Sequence, residues 1–276
     1  MRGEVRKGRM RDDRGVALII VLLVTALLLA LIFEFAYGTR ISLRAAVNFR
    51  DSERAYFLAR SGVHLFGKFK DRAELEGVLP PQGEWGVVPV VSTGDTELRI
   101  RWEDESGKMD IHQVIKPSAV FDRLSSLFTI RGVDQGALDR MSDWMRDERR
   151  SFYLLTELHG FLSDEDFLKV RDALTVTAVP RVNINTASAD VLRGIGLDAL
   201  TADNIIDRRA EQPFKSDAEV TAFLGPEGNR FVGLLTTAST VFKVDSFATV
   251  GGYTKQVEAV ITKAGAATTV NYWRAL

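Results

Sequence analysis

Three histidines, one run of carboxylates and a small set of carboxylate pairs are the residues whose types could carry chemistry. His64, His112 and His159 lie far apart in the sequence and form no ligand spacing, so each reads as a surface or a hydrogen-bonded core side chain. Glu103, Asp104 and Glu105 together could hold a cation. Because Ser106, Gly107 and Lys108 follow them, the segment reads first as a solvated hairpin turn. There is no P-loop, no GxSxG and no HExxH. The chain has no cysteine, which excludes disulfides, zinc–thiolate sites and a thiol nucleophile. No active site is legible, and the sequence points to a binding or structural protein rather than an enzyme.

Residues 181–220 are the most motif-like soluble stretch. They resemble a helix–hairpin–helix unit: Thr186 or Ser188 caps a helix, Leu192–Gly194–Ile195–Gly196 turns, and Ala202, Ile205, Ile206 and Arg209 populate a second helix. In DNA-binding versions the glycines bring backbone N–H groups close to phosphates. Membrane-anchored DNA receptors of competence systems carry a similar NINTA segment. Between Asp190 and Glu219, however, seven acidic residues face four basic ones. A net-negative unit is poorly suited to neutralising phosphates, so a structural role is expected and nucleic acid is not an expected partner.

The elements that position these residues begin with a long helix. Residues 1–15 carry six basic and three acidic side chains, and residues 16–33 are eighteen consecutive residues without charge. At ~1.5 Å per residue that run reaches across most of a ~30 Å hydrocarbon layer. The basic leader is expected to stay cytoplasmic and the bulk of the chain to lie on the other side of the inner membrane, in the periplasm. A secretory signal peptide fits less well, because the apolar run is long and Phe33–Glu34–Phe35 is a poor cleavage site. A plain membrane anchor also accounts for the run. From Glu34 to Lys70 apolar residues recur at helical spacing, so one helix of about 80 Å is expected over residues 16–70.

Beyond residue 79 the texture changes. Strands are expected at 87–91 and 97–102, with a return strand at 109–114. A helical block follows, with helices at 118–128, 136–150, 156–162, 164–173, 186–195, 201–210 and 216–224. Strands return at 242–247 and 255–262, joined by a turn at Gly251 and Gly252. The expected fold is α+β: a pilin-like long N-terminal helix on an antiparallel sheet, with an inserted all-helical domain of SAM-like or helix–hairpin–helix-like type. The expected divisions are 1–15, 16–70, 71–115, 116–232 and 233–276. Two domains in series would instead leave the terminal hairpin marginal on its own.

The leader resembles that of type IV prepilins. The resemblance implies that a prepilin peptidase cuts between Gly15 and Val16 and that Val16 is then N-methylated. Most pilins carry glutamate at the fifth mature position, where this chain has Ile20. A carboxylate deep in the bilayer needs a partner, and in pilin filaments the usual partner is the N-terminal amine of a neighbouring subunit. A subunit without it suits the tip. In order along the chain, the leader, Ile20, SERAYFLARSGVHLF (52–66), EDESGKMDIHQV (103–114), SDWMRDE (142–148), VNINTA (182–187) and VDSFATVGGYTKQVEAVI (244–261) resemble the general secretion pathway protein K family, the minor pseudopilins of type II secretion systems. The resemblance implies a tip complex with other minor pseudopilins, and contact with the major pseudopilin and the peptidase. A minor pilin of a type IV pilus is the alternative machine. Some family members bind Ca2+ in the helical domain. This chain lacks the long acidic loop usual after the Asp143–Trp144 motif, so calcium remains an open expectation and no cofactor is certain.

Overall fold

A computed structural model describes residues 13–75, 86–114, 118–147, 149–177, 179–264 and 267–276. Most of the expected leader lies outside the described residues, as do residues 76–85 of the first sheet segment and Glu148 of the expected 136–150 helix. The chain divides into two units, Met1–Glu53 and Arg54–Leu276.

The first unit holds the beginning of helix α1 (Asp13–Leu75). The helix passes both ends of the expected 16–70 span. Its apolar N-terminal side chains face outward on every side, and the mean hydropathy of the best 18-residue window is 3.3. A helix apolar all round has no polar face to give to water, and this one is long enough to cross a membrane. Thr25, the one hydroxyl inside the run, donates from Oγ1 to the Val21 carbonyl at 2.7 Å. Its polar group is thus satisfied within the helix, as a hydrocarbon environment demands.

In the second unit α1 lies on an antiparallel sheet. Ala55, Ala59, Gly62, Val63 and Phe66 recur at three- and four-residue steps and are buried. They pack on β1 (Gly86–Thr93) and β2 (Thr96–Asp104), which form a hairpin through Gly94, a glycine at φ +62°. After β2 the chain does not return along the sheet. The expected return strand at 109–114 is two residues long, β3 (Met109–Asp110), and is followed by a 3-10 turn over Ile111–Val114. Asp110 bends the chain there: its Oδ1 accepts from the His112 backbone N–H at 2.9 Å, so a turn outcompetes the strand.

The helical block comes next. Helix α2 (Ala119–Arg131) starts at the expected serine cap, with Ser118 Oγ accepting from Phe121 N, and ends at Gly132 in the left-handed region. Helix α3 (Gln135–Asp147) and helix α4 (Asp164–Val170) follow, while the expected helix at 156–162 is a 3-10 segment, Leu155–Gly160. Two-residue strands β4 (Leu174–Thr175) and β5 (Val182–Asn183) lead to α5 (Ala189–Gly194), α6 (Ala199–Glu211) and α7 (Asp217–Leu224). Strand β3 pairs with β4 in parallel, and β5 pairs in parallel with β6 (Leu235–Thr236). The first pair ties the entry of the block to its middle, and the second ties the middle to its exit.

Strands β7 (Val241–Val250), β8 (Tyr253–Ala264) and β9 (Ala267–Ala275) then complete the sheet in the order β1-β2-β7-β8-β9. The antiparallel β2–β7 pair joins residues on either side of the helical block, with Trp102 opposite Val244. The fold is therefore the α+β arrangement expected. Two hydrophobic cores result, one between α1 and the sheet and one inside the helical block. Phe66, Trp102 and Phe242 close the first core as a trio with ring centroids 5.5–5.8 Å apart.

Candidate functional site

The carboxylate run 103–105 is not a solvated turn. Glu103, Asp104, Glu105 and Lys108 are all buried, where the C-terminal end of β2 meets the helical block. Water is replaced by two sets of partners. Lys108 Nζ reaches Glu105 Oε1 at 2.7 Å and Glu103 Oε1 at 2.9 Å. Burial alone would lower the lysine pKa, but the charges of Glu105 and Glu103 reverse that and hold the ammonium protonated. Lys108 thus takes the place in the acidic cluster that a metal cation would have taken. Among the described residues no group of three or more His, Asp or Glu side chains is placed to hold a metal ion.

Asp104 points the other way, into the helical block. Its Oδ2 accepts from Thr186 Oγ1 at 2.6 Å, Ser239 Oγ at 2.6 Å and Asn183 Nδ2 at 3.1 Å, and its Oδ1 accepts from Ser106 N at 2.9 Å. Burial pushes the Asp104 pKa up, and these hydrogen bonds pull against it. Ser106 Oγ in turn accepts from the backbone N–H groups of Thr240 and Val241, the entry to β7. Gly107 is pressed against the NINTA segment: a Cβ there would stand 2.9 Å from the Thr186 carbonyl carbon and 3.0 Å from Ala187 N. Of the two expected caps, Ser188 caps α5, accepting from Val191 N. Thr186 is committed to Asp104 instead.

The hairpin between α5 and α6 is built for packing. Gly196 sits at φ +111°, Leu197 N donates back to Leu192 O at 3.2 Å, and Ile195 and Leu197 are buried. Arg209 donates to the carbonyls of Ile184 (2.7 Å) and Ala187 (2.6 Å), and burial lowers its pKa to about 10. It remains a cation that braces the NINTA backbone. The N-terminus of α6 is capped by Asp198, which accepts from Thr201 N and Thr201 Oγ1. These bonds lower the Asp198 pKa. An ionised carboxylate therefore occupies the place where a phosphate would approach the helix.

The histidines are placed separately. His64 is exposed on α1, and His159 Nδ1 lies 3.0 Å from Asp164 Oδ1. His112 bridges Asp110 Oδ1 (Nδ1, 3.0 Å) and the Phe152 carbonyl (Nε2, 2.7 Å). The hydrogen bond to Asp110 leads in raising its pKa above 6.5, against burial. Both ring nitrogens can donate only in the protonated form. The stabilisation is therefore full below about pH 6.5 and is lost as pH rises through the raised folded value. In chemical denaturation at a series of pH values, wild type should lose stability relative to His112→Gln over that window. Parallel curves for the two proteins would contradict it.

Gly15, Val16 and Ile20 all lie on α1, with Val16 and Ile20 exposed. They belong to the first unit, and the junction described above belongs to the second.

The model of the family described as type II secretion system (T2SS), protein K matches residues 182–245. Type II secretion system protein K of Pseudomonas aeruginosa is 28% identical over 271 residues, covering 80% of this chain and 79% of that protein. A chain in the crystal structure of the GspK-GspI-GspJ complex from the enterotoxigenic Escherichia coli type 2 secretion system superposes with a TM-score of 0.57 at 14% identity, over 86% of this chain and 99% of that one. This chain is similar to type II secretion system protein K. The segment matched by the family model contains Asn183, Thr186 and Ser239, the three side chains that hold Asp104. The stretch matched by the family model therefore includes side chains that dock the helical block on the sheet. Sequence reading singled out EDESGK and VNINTA as separate motifs and missed that they are one contact.

Proposed function

We propose that this protein is a minor pseudopilin at the tip of a type II secretion pseudopilus, where it initiates assembly and supports export of folded proteins across the outer membrane. The observation that carries the reading is the similarity to protein K over four-fifths of the chain, joined to a charge-free run of α1 that begins at the Gly15–Val16 junction. Gly15 and Val16 are the bond cut by the prepilin peptidase, and Val16 is the methylated N-terminus. The apolar stretch holds the subunit in the inner membrane before assembly, with the second unit in the periplasm. Ile20 leaves the fifth position without a carboxylate, so no amine from a subunit above is called for. The partners are the other minor pseudopilins, as in the solved complex of GspK with GspI and GspJ, and the major pseudopilin below.

The DNA-receptor reading is weaker on physical grounds. The α5–α6 hairpin keeps its backbone donors for internal bonds and sets Asp198 at the α6 N-terminus.

Intact-mass analysis and N-terminal sequencing of the protein from its own membranes test the proposal. A chain beginning at methylated Val16 is expected. A chain still beginning at Met1 would reduce the protein to a plain anchored domain.

A further inference from the structure

The two edges of the sheet are not alike. Strand β1 carries Pro89 and one extra residue between Val88 and Val91, devices that keep a further strand from adding. Strand β9, with the sequence ATTVNYWRA, has neither Pro nor Gly and a single charge, and all of it except Tyr272 is exposed. Its own extra residue, Asn271, is tied back to β8 through Thr262 Oγ1. Among the described residues no strand pairs with the outer side of β9.

The C-terminal half of that edge is regular. Leu276 and Gln256 exchange N–H···O bonds in both directions, at 2.9 and 3.3 Å. Antiparallel strands alternate inward and outward backbone groups, so Trp273 and Ala275 turn their N–H and C=O groups away from β8. Beside this open ladder lies an aromatic and cationic patch. The Trp273 ring, 46% exposed, lies 6.2 Å from Tyr56 and under the Arg60 guanidinium at 5.5 Å. Phe57, 55% exposed, stands edge-on to Tyr56 at 5.3 Å. Arg54 and Arg60 are exposed and have no carboxylate within ion-pair distance among the described residues. Trp, Tyr and Arg are the side chains that dominate binding hot spots.

We propose that the outer edge of β9 from Tyr272 to Ala275, with Trp273, Phe57, Arg54 and Arg60, is where a neighbouring subunit adds one extended strand. The open ladder selects a strand, the aromatic rings select an apolar side chain on it, and the unpaired arginines select carboxylates. A second copy of this chain would bring the same cations to the same face, so the charge pattern favours a different protein. Resting on the pseudopilin reading, that protein is another minor pseudopilin of the same machine.

The test is co-purification, in detergent, of the full chain with the other minor pseudopilins of its own system, with affinities measured for wild type, W273A and A275P. Proline at 275 removes an outward donor and leaves the bonds to β8 in place. Unfolding midpoints show whether A275P is folded, and W273A carries the test if it is not. Each variant is expected to bind at least about thirtyfold more weakly than wild type. Wild-type affinity in both would overturn the β9 edge and leave the pseudopilin reading standing. Absence of any wild-type complex would remove the pseudopilin reading and the edge with it. Wild-type self-association abolished by W273A would overturn the choice of partner.

Discussion

Replacing Lys108 with methionine is expected to destabilise the protein by roughly 3–5 kcal/mol, the range for breaking a buried ion pair from one side. The reason lies in what remains. Glu103 and Glu105 have about one-tenth of their side-chain surface exposed, and the ammonium is the cation they share. Without it two buried carboxylates repel each other, and at least one must take up a proton to stay folded. Methionine keeps the length and apolar stem of lysine, so lost packing contributes little. Denaturant titration of the purified full chain in detergent, followed through tryptophan fluorescence, reads the effect. The companion variant is Glu103→Gln/Glu105→Gln/Lys108→Met. It removes all three charges and is expected to recover most of the loss, because a fully neutral site carries no unpaired ion. If K108M alone stays within about 1 kcal/mol of wild type, the junction is wetter than its geometry implies and the ion set does not hold the end of β2 in its buried turn.

That junction also shows where sequence reading stops. Helix α1 was legible because a charge-free run and a three- and four-residue apolar spacing are local signals. Strands β1, β2, β7 and β8 were legible, because Leu98, Ile100 and Trp102 alternate with charged residues and because Gly251 and Gly252 mark the β7–β8 turn, whereas β9 was not placed. The 103–108 segment was misread for a physical reason. Three carboxylates, a serine, a glycine and a lysine have the composition of an exposed turn, and burial becomes possible only through partners that are remote in sequence. Asn183 lies 79 residues from Asp104, and Ser239 lies 135 residues away. No periodicity within either segment records that contact. The same blindness let Thr186 pass as a helix cap, although its hydroxyl serves Asp104 and Ser188 does the capping. The return strand expected at 109–114 failed because the alternation of apolar and polar residues over 109–112 fits a strand, while Asp110 captures two groups of His112 and turns the chain.

Gly62 is expected to be the most sensitive position on α1. A Cβ at Gly62 would land on Ser246 Oγ, within 3.0 Å of Leu98 Cδ1 and 3.2 Å of Ser246 Cβ. No rotamer of an added side chain avoids that contact, because the Cβ itself makes it. Gly62→Ala should improve helix propensity by up to ~1 kcal/mol, yet it should lower stability by about 1–3 kcal/mol, because α1 must lift from the sheet and loosen the Phe66–Trp102–Phe242 trio. Ser246 Oγ, on the facing strand, is buried with no hydrogen-bond partner among the described residues. Removing that hydroxyl should therefore cost nothing: Ser246→Ala is expected to be neutral or mildly stabilising. The pair Gly62→Ala/Ser246→Gly moves the small residue from the helix to the strand and makes room for the new Cβ. Its stability should exceed the sum of the two single effects by at least about 1 kcal/mol, the signature of residues in direct contact. Additivity in that cycle would mean that α1 does not rest on β7 at Gly62, and the packing of the helix on the sheet would have to be drawn differently.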